Sequence, residues 1–340
     1  MRGAECGVRS ERQCVGRFLP AVRVALVLAV LVPTVACGGE EQKVIRYAAD
    51  GSDLQAVLDA APAEATVVCD TDRPLTVTRT LVIRKPLTLK GLHARLPEKL
   101  GRTVLLQVEA GDVTLTDLEL HGNYDSVPQT QRAPLVCISR GGFRVERCRF
   151  YDGTKDGVTI TPEPGKGDLV GGTVRDVRAW RMGRDAVSIS GGNRGSRVRN
   201  VTVEDVCLTV GYHRGAVEVS DGTDHITVRN VVAEKCVYAL DVQDHGGKSA
   251  PNTNILAENL TAVESKHIVR TANSPRGHAN LTLKHLVGKR VRQPVVVKHT
   301  RGVLIDGLRL DPKPAAGQAI QLHQCHDVTV RNADGWTAAH

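Results

Sequence analysis

The chain has 340 residues, 41% of them hydrophobic and 24% charged, with a formal net charge of +8. That length supports one large buried core or two ordinary ones. Its lysines and arginines are dispersed around turns, and Walker, GxGxxG and CxxC patterns are absent, which excludes the usual nucleotide and zinc-knuckle classes and argues against a nucleic-acid partner.

In chain order, five arginines (Arg2, Arg9, Arg12, Arg17 and Arg23) precede or enter an apolar run from Val24 to Val32. The run is too short for a membrane-spanning helix and reads as the core of an export signal. It ends in Thr34-Val35-Ala36-Cys37-Gly38-Gly39, and small residues before a Cys resemble a bacterial lipoprotein processing site. The expectation is a signal peptide over 1–36, a lipidated Cys37 opening a linker over 37–43, and one domain over 44–340. Such a protein sits in the cell envelope, periplasmic or at the cell surface, with a lipid anchor as its only contact with the membrane. Ordinary signal cleavage and secretion is the alternative. Without the arginines and two glutamates before Cys37 the net charge is +5. The six later cysteines (Cys69, Cys137, Cys148, Cys207, Cys236 and Cys325) are widely spaced and read as small core residues.

After the linker, Ser52 or Asp53 can cap a short helix from Leu54 to about Ala60, with Leu54, Val57 and Leu58 on one face. A repeat then runs to the end of the chain: alternating apolar residues, a bend residue, and a second apolar strand. The bends fall at Gly91, Asp117, Arg147, Asp176, Asn200, Asn230, Asn259, His285, Gly307 and Asn332, at intervals of 22–30 residues. Such a period means a solenoid, and the period-2 alternation rich in Val, Thr and Ile makes its units strands. Asn and Asp suit the bends because they tolerate left-handed backbone. Asn200, Asn230 and Asn259 are expected to stack on successive coils as a side-chain ladder. About ten coils at roughly 4.8 Å each give a rod on the order of 45–50 Å long. The helix is expected to plug its N-terminal end, whereas only Trp336 is available to cover the other.

Together these features resemble the pectate-lyase-like superfamily of right-handed parallel β-helix proteins. The resemblance implies an all-β solenoid, with polysaccharide lyases, polygalacturonase-like hydrolases, epimerases and non-enzymatic surface proteins as possible relatives. A second strand per unit aligns as DGVTIT, DAVSIS, GAVEVS and YALDVQ, with Thr159, Ser188, Glu218 and Asp241 pointing away from the core. On the next coil, Val269 inward with Lys266, Ile268 and Arg270 outward avoids burying a guanidinium, and Lys298 is expected to follow. The loop after Asp241 supplies His245 and Lys248; His213 and Arg214 lead into the Glu218 strand.

This face is similar to the alginate lyase and chondroitinase B family. That resemblance implies Glu218 and Asp241 as calcium ligands, Lys248 as proton acceptor and Arg270 as its assistant, while the loop itself offers His245 as a further titratable candidate. Lys298, Arg214, Tyr212 and Tyr238 are candidates for contacting an acidic polysaccharide. Calcium would take carboxylate oxygens and acidify the proton α to the substrate carboxylate. The longer Lys loop, Gln243, and Thr271 in place of His depart from the pattern. A polygalacturonase-like hydrolase or epimerase using Glu218, Asp241 and Asp244 is the first alternative, although its Asp-Asp, Gly-His-Gly and Arg-Ile-Lys motifs are missing. A non-catalytic glycan-binding or structural surface protein is the second.

Overall fold

The computed structural model describes residues 43–48, 53–71, 73–192, 194–246, 249–272, 276–315 and 317–336. The expected signal peptide, Cys37 and Lys248 lie outside the described residues. Among the described residues no helix is long and apolar enough to cross a membrane.

Parallel strands stacked coil on coil make a right-handed β-helix of about 11 turns, one more than the repeat count. Among the described residues, fifteen strands form one sheet, here called sheet A, and ten form sheet B on another side of the coil. Sheet B runs from Leu81–Ile83 through Val187–Ser190, Val217–Ser220, Leu240–Gln243 and Val269–Ala272 to Ile320–His323. Its strands are only three or four residues long. In sheet A the later strands reach 11–14 residues because they continue through the bends.

The bends explain the sequence pattern. Gly91, Asp117, Arg147, Asp176, Asn200, Asn230, Asn259, His285, Gly307 and Asn332 all have φ between 51° and 85°. Every bend residue is therefore in the left-handed region, which lets a strand turn without losing its neighbours in register. The expected ladder is present with one correction. Asn259 Nδ2 donates to Asn230 Oδ1 (3.0 Å), and Asn230 Nδ2 donates to Asp205 Oδ1 (2.9 Å). Asn200 belongs to a different corner, in register between Gly171 and His225. Val-Arg-Asn-Val and Val-Glu-Asp-Val stand only five residues apart, so the repeat could be threaded through either one. At the second corner Asn280 donates to Asn254 (2.8 Å), a ladder the spacing did not reveal.

Inside, one continuous core of Val, Leu and Ile runs the length of the solenoid. Cys69, Cys148, Cys207 and Cys236 are buried, and no disulfide joins the six described cysteines. Burial pushes the thiols of Cys69, Cys148 and Cys236 up to about 12. The helix Leu54–Ala60 is capped by Asp53, whose side chain accepts from the Gln55 amide (3.0 Å). It buries Leu54 and Leu58, with Val57 partly buried against the same core. Trp336 packs against the core at the far end.

Asn230→Leu should lower stability by about 1–2 kcal/mol, because a branched side chain disfavours the left-handed bend. Asn230→Gly removes both ladder bonds, as Asn230→Leu does, but relieves the backbone and should cost less, and chemical denaturation of the two variants checks the order.

A buried acidic column beneath a cationic face

The outward column of sheet B is in the expected order. Thr159 pairs with Ser188, Ser188 with Glu218, Glu218 with Asp241, and Asp241 with Arg270. Val217, Val219, Leu240 and Val242 point inward and are fully buried. Two placements differ. Arg270 is followed in register by Val296, whereas Lys298 lies two residues on and pairs with His323. Ile268 is fully buried because its backbone belongs to the turn before Val269–Ala272, where strand alternation does not hold.

Facing out of the core does not mean facing water. Glu218 is 1% exposed and Asp241 0%. Glu218 Oε2 accepts from Arg184 (2.9 Å) and from Arg214, and its Oε1 accepts from Ser220 Oγ (3.0 Å). Burial opposes the ionised form of Glu218, but Arg214 and Arg184 together outweigh it and hold the carboxyl below its ordinary range. Arg270 grips Asp241 with Nε (3.1 Å to Oδ1) and Nη2 (on Oδ2). All four oxygens of the expected calcium ligands thus already accept from guanidinium or hydroxyl donors. A calcium ion needs six to eight oxygens with open lone pairs. Glu218 and Asp241 do not fit that role.

Further acids lie under the same arginines. Asp156 and Asp185 are 1% and 0% exposed, and Arg184 bridges both (3.4 and 3.6 Å) as well as Glu218. Burial, then the charges of Glu218 and Asp156, push the Asp185 carboxyl well above its ordinary value. Tyr238 donates its hydroxyl to Asp185 (2.8 Å) and supports the Arg270 guanidinium over its ring (5.0 Å). It is completely buried, which removes it from the substrate-contact candidates and makes it a strut between two charged layers.

What the face presents outward is mostly positive. Arg132, Lys155, Arg184, His213 and Arg214, with Gln129, line a groove of about 360 Å3. Lys155, Arg184 and Arg214 occupy the equivalent corner position on successive coils, each three residues before the inward valine (Val158, Val187 or Val217) that opens its sheet B strand. Tyr212 stands beside them, 41% exposed, stacked on Tyr124 (4.4 Å between centroids) with Arg132 over the Tyr124 ring (4.7 Å).

One partly exposed group is arranged for proton transfer. His245 donates its backbone amide to Asp221 Oδ1 (2.8 Å), and its Nδ1 lies 2.9 Å from Asp221 Oδ2. Asp221 is 4% exposed and also accepts from Ser190 Oγ (3.0 Å). A carboxylate on Nδ1 fixes the tautomer and leaves Nε2 free to exchange a proton. The hydrogen bond to Asp221 raises the imidazole above its ordinary value, with Glu218 adding to it. By contrast, burial pushes His267 down to about 4 while its Nδ1 bonds the Gln293 carbonyl (2.7 Å). Asp244, a candidate acid, is held by Arg276 through both oxygens (2.9 and 2.8 Å).

Sequence reasoning therefore brought Glu218, Asp241, Arg214, Arg270 and His245 to one region but missed Arg184, Lys155, Arg132 and Asp221. A signal for two of them was present: Lys155 and Arg184 immediately precede the aligned strands DGVTIT and DAVSIS, as Arg214 precedes GAVEVS. Asp221 lies 24 residues before His245, one coil earlier.

No family model matches the sequence, and no curated protein matches it. Solved structures do. An endo-xylogalacturonan hydrolase from Aspergillus tubingensis is similar with a TM-score of 0.59 at 11% identity, covering 87% of this chain and 99% of that one. A polygalacturonase from Erwinia carotovora ssp. carotovora is similar with a TM-score of 0.51 at 13% identity, covering 85% of this chain and 96% of that one. At such identities the likeness defines the fold, a right-handed parallel β-helix.

The Asp241–Arg270 pair gives a direct test of the buried layer. Arg270→Leu should destabilise by about 3 kcal/mol, since it leaves a buried carboxylate unpaired. Adding Asp241→Leu should recover most of that loss, and a denaturation double-mutant cycle measures the recovery.

Proposed function

We propose that the protein acts on an acidic, uronate-containing polysaccharide and cleaves it by metal-independent β-elimination. The observation that carries this reading is a cationic groove lined by Arg132, Lys155, Arg184 and Arg214, beside a histidine held by a buried aspartate. Guanidiniums recognise carboxylates with directional, charge-assisted hydrogen bonds. Arg214 and Arg184 would hold the uronate carboxylate and stabilise the charge that develops on it. His245 Nε2 would take the proton α to that carboxylate. The C–H pair then forms the ring double bond, the bond to the glycosidic oxygen breaks, and that oxygen takes up a proton. Lys248 remains a second candidate acceptor.

Hydrolysis is the second reading. It is favoured by the Asp185–Glu218 pair, in which the surroundings push one carboxyl up and the other down from its ordinary value. It is also favoured by the names of the two similar structures, both hydrolases of galacturonan-type substrates. Both carboxylates are buried beneath arginines, whereas an inverting pair must flank a water and a sugar. β-Elimination requires no accessible acid pair, and for that reason it is preferred.

The experiment is incubation with a panel of acidic polysaccharides, following unsaturated ends and reducing ends separately. The expected result is unsaturated product without added calcium, abolished in His245→Ala and sharply reduced in Arg214→Gln. Reducing ends without unsaturation would establish hydrolysis, and binding without product would make the protein a glycan-binding module. For elimination, kcat/KM should rise with pH through an apparent pKa above 6.5, because only neutral His245 accepts a proton. Asp221→Asn removes the charge that raises it and should shift that limb downward.

We also propose export and lipid attachment at Cys37. Cys37→Ser should abolish acyl labelling and release the protein from membranes; equal labelling in both forms would refute the assignment.

A further inference from the structure

We propose that His93, Glu119 and His121 form a binding site for a zinc-class divalent cation, on sheet A and separate from the groove described above. The three residues come from two neighbouring strands, His93–Arg95 and Glu119–His121. His93 and Glu119 pair directly across these strands, and His121 follows Glu119 on the same outward face two residues on. Strand alternation therefore delivers all three side chains to one spot without any loop.

The distances are those of a coordination shell. Glu119 Oε1 lies 3.1 Å from His121 Nε2 and 3.4 Å from His93 Nε2. All three ligand atoms lie within 4.8 Å of one another. Zinc bonds of about 2.0–2.1 Å in a tetrahedron separate neighbouring ligand atoms by about 3.3–3.4 Å. The His93–Glu119 edge of that triangle is already at this length, and the His121–Glu119 edge is shorter by about 0.2–0.3 Å. Two imidazole nitrogens and one carboxylate oxygen suit zinc and its neighbours in the first transition row, whereas calcium prefers oxygen alone.

The surroundings support a site open to exchange. The side chains are each about one-third exposed, enough for an ion to enter from water. His121 is stacked on Tyr151, with centroids 4.7 Å apart and planes 15° apart, which fixes the direction of its nitrogen. The cluster opens into a cleft of about 510 Å3 that also includes Arg95, Asn123, Tyr124 and Arg181. Three protein ligands leave a fourth position facing that space, where a water or an anionic oxygen ligand can bind. Tyr124 lines this cleft and carries Arg132 of the cationic groove over its ring, but the cleft and the groove share no lining residue. The assignment does not depend on what the groove binds or on any cleavage.

The test uses the mature full chain without an affinity tag, titrated calorimetrically with zinc, with cobalt(II) as a spectroscopic probe. The expected result is one equivalent bound with a dissociation constant in the micromolar range or below, and intense visible cobalt bands that mark four-coordinate geometry. His93→Gln and His121→Gln should each weaken binding at least tenfold, and Glu119→Gln should do the same. These side chains lie on the outer face, and unchanged circular dichroism and Tm without metal confirm that each variant folds. Zinc should raise the Tm of the unaltered protein and leave that of His121→Gln unmoved. No saturable binding of either ion at one equivalent, or binding unchanged in His121→Gln, overturns the proposal.

Discussion

Register between successive coils is the constraint on which this molecule depends. Each strand places its residues directly over those of the coil before, so every side-chain position becomes a column running along the solenoid. Inward columns are uniformly apolar and fuse into one core. Columns at the bends are selected for left-handed backbone, which is why Asn, Asp and Gly recur there with so little regard for side-chain polarity. A change of register by one residue would turn Glu218 and Asp241 into the core and Val217 and Leu240 out of it.

The same constraint creates an electrostatic problem on sheet B. Acids at one column position on adjacent coils stand at the inter-strand spacing of about 4.8 Å, where like charges repel strongly once water is excluded. The protein resolves it in two ways. Arginines from the preceding corner and the following coil cover the column, with Arg184 reaching Asp156, Asp185 and Glu218 at once. Asp185, the most enclosed of the three, is pushed toward its neutral form by burial and by the neighbouring carboxylates. Buried pairs of this kind offset a desolvation penalty more than they add stability. Their consequence is positional: the guanidiniums are fixed by their buried partners and arrive at the surface already oriented.

Much of this was legible in the sequence, and the failures share a cause. The core, the bends, the capping helix and the register of Glu218, Asp241 and Arg270 all follow from strand alternation, a rule each strand states for itself. Asn200 was assigned to the wrong corner because Asn200 and Asp205 carry the same local pattern. Only the coil above could distinguish them, where His225 meets one and Asn230 the other. Ile268 and Tyr238 stand just before their strands, in turns where alternation carries no information. Their burial is set by neighbouring coils. Arg184 and Lys155 were overlooked for a related reason, since a lone surface base looks the same whether it is solvated or spans three acids.

Arginine cover also changes what the acids can do. A carboxylate whose oxygens already accept from guanidinium or hydroxyl donors, as those of Glu218 and Asp241 do, cannot ligate calcium or activate a water without first releasing those partners. Releasing them would expose a buried charge, at a cost of several kcal/mol. The acidic column is therefore better understood as the foundation of the cationic groove than as its chemistry. His245 differs because its acidic partner occupies only Nδ1 and the ring remains partly exposed. Along sheet B, the residues that touch a ligand and the residues that set their charge are thus separated into an outer and an inner layer. On sheet A the His93–Glu119–His121 cluster has no such inner layer of arginines among its described hydrogen bonds, and its nitrogens meet a carboxylate oxygen directly. Two faces built by one repeat can differ this sharply because register fixes where a side chain stands, while the residue on the next coil decides whether it is neutralised or left available.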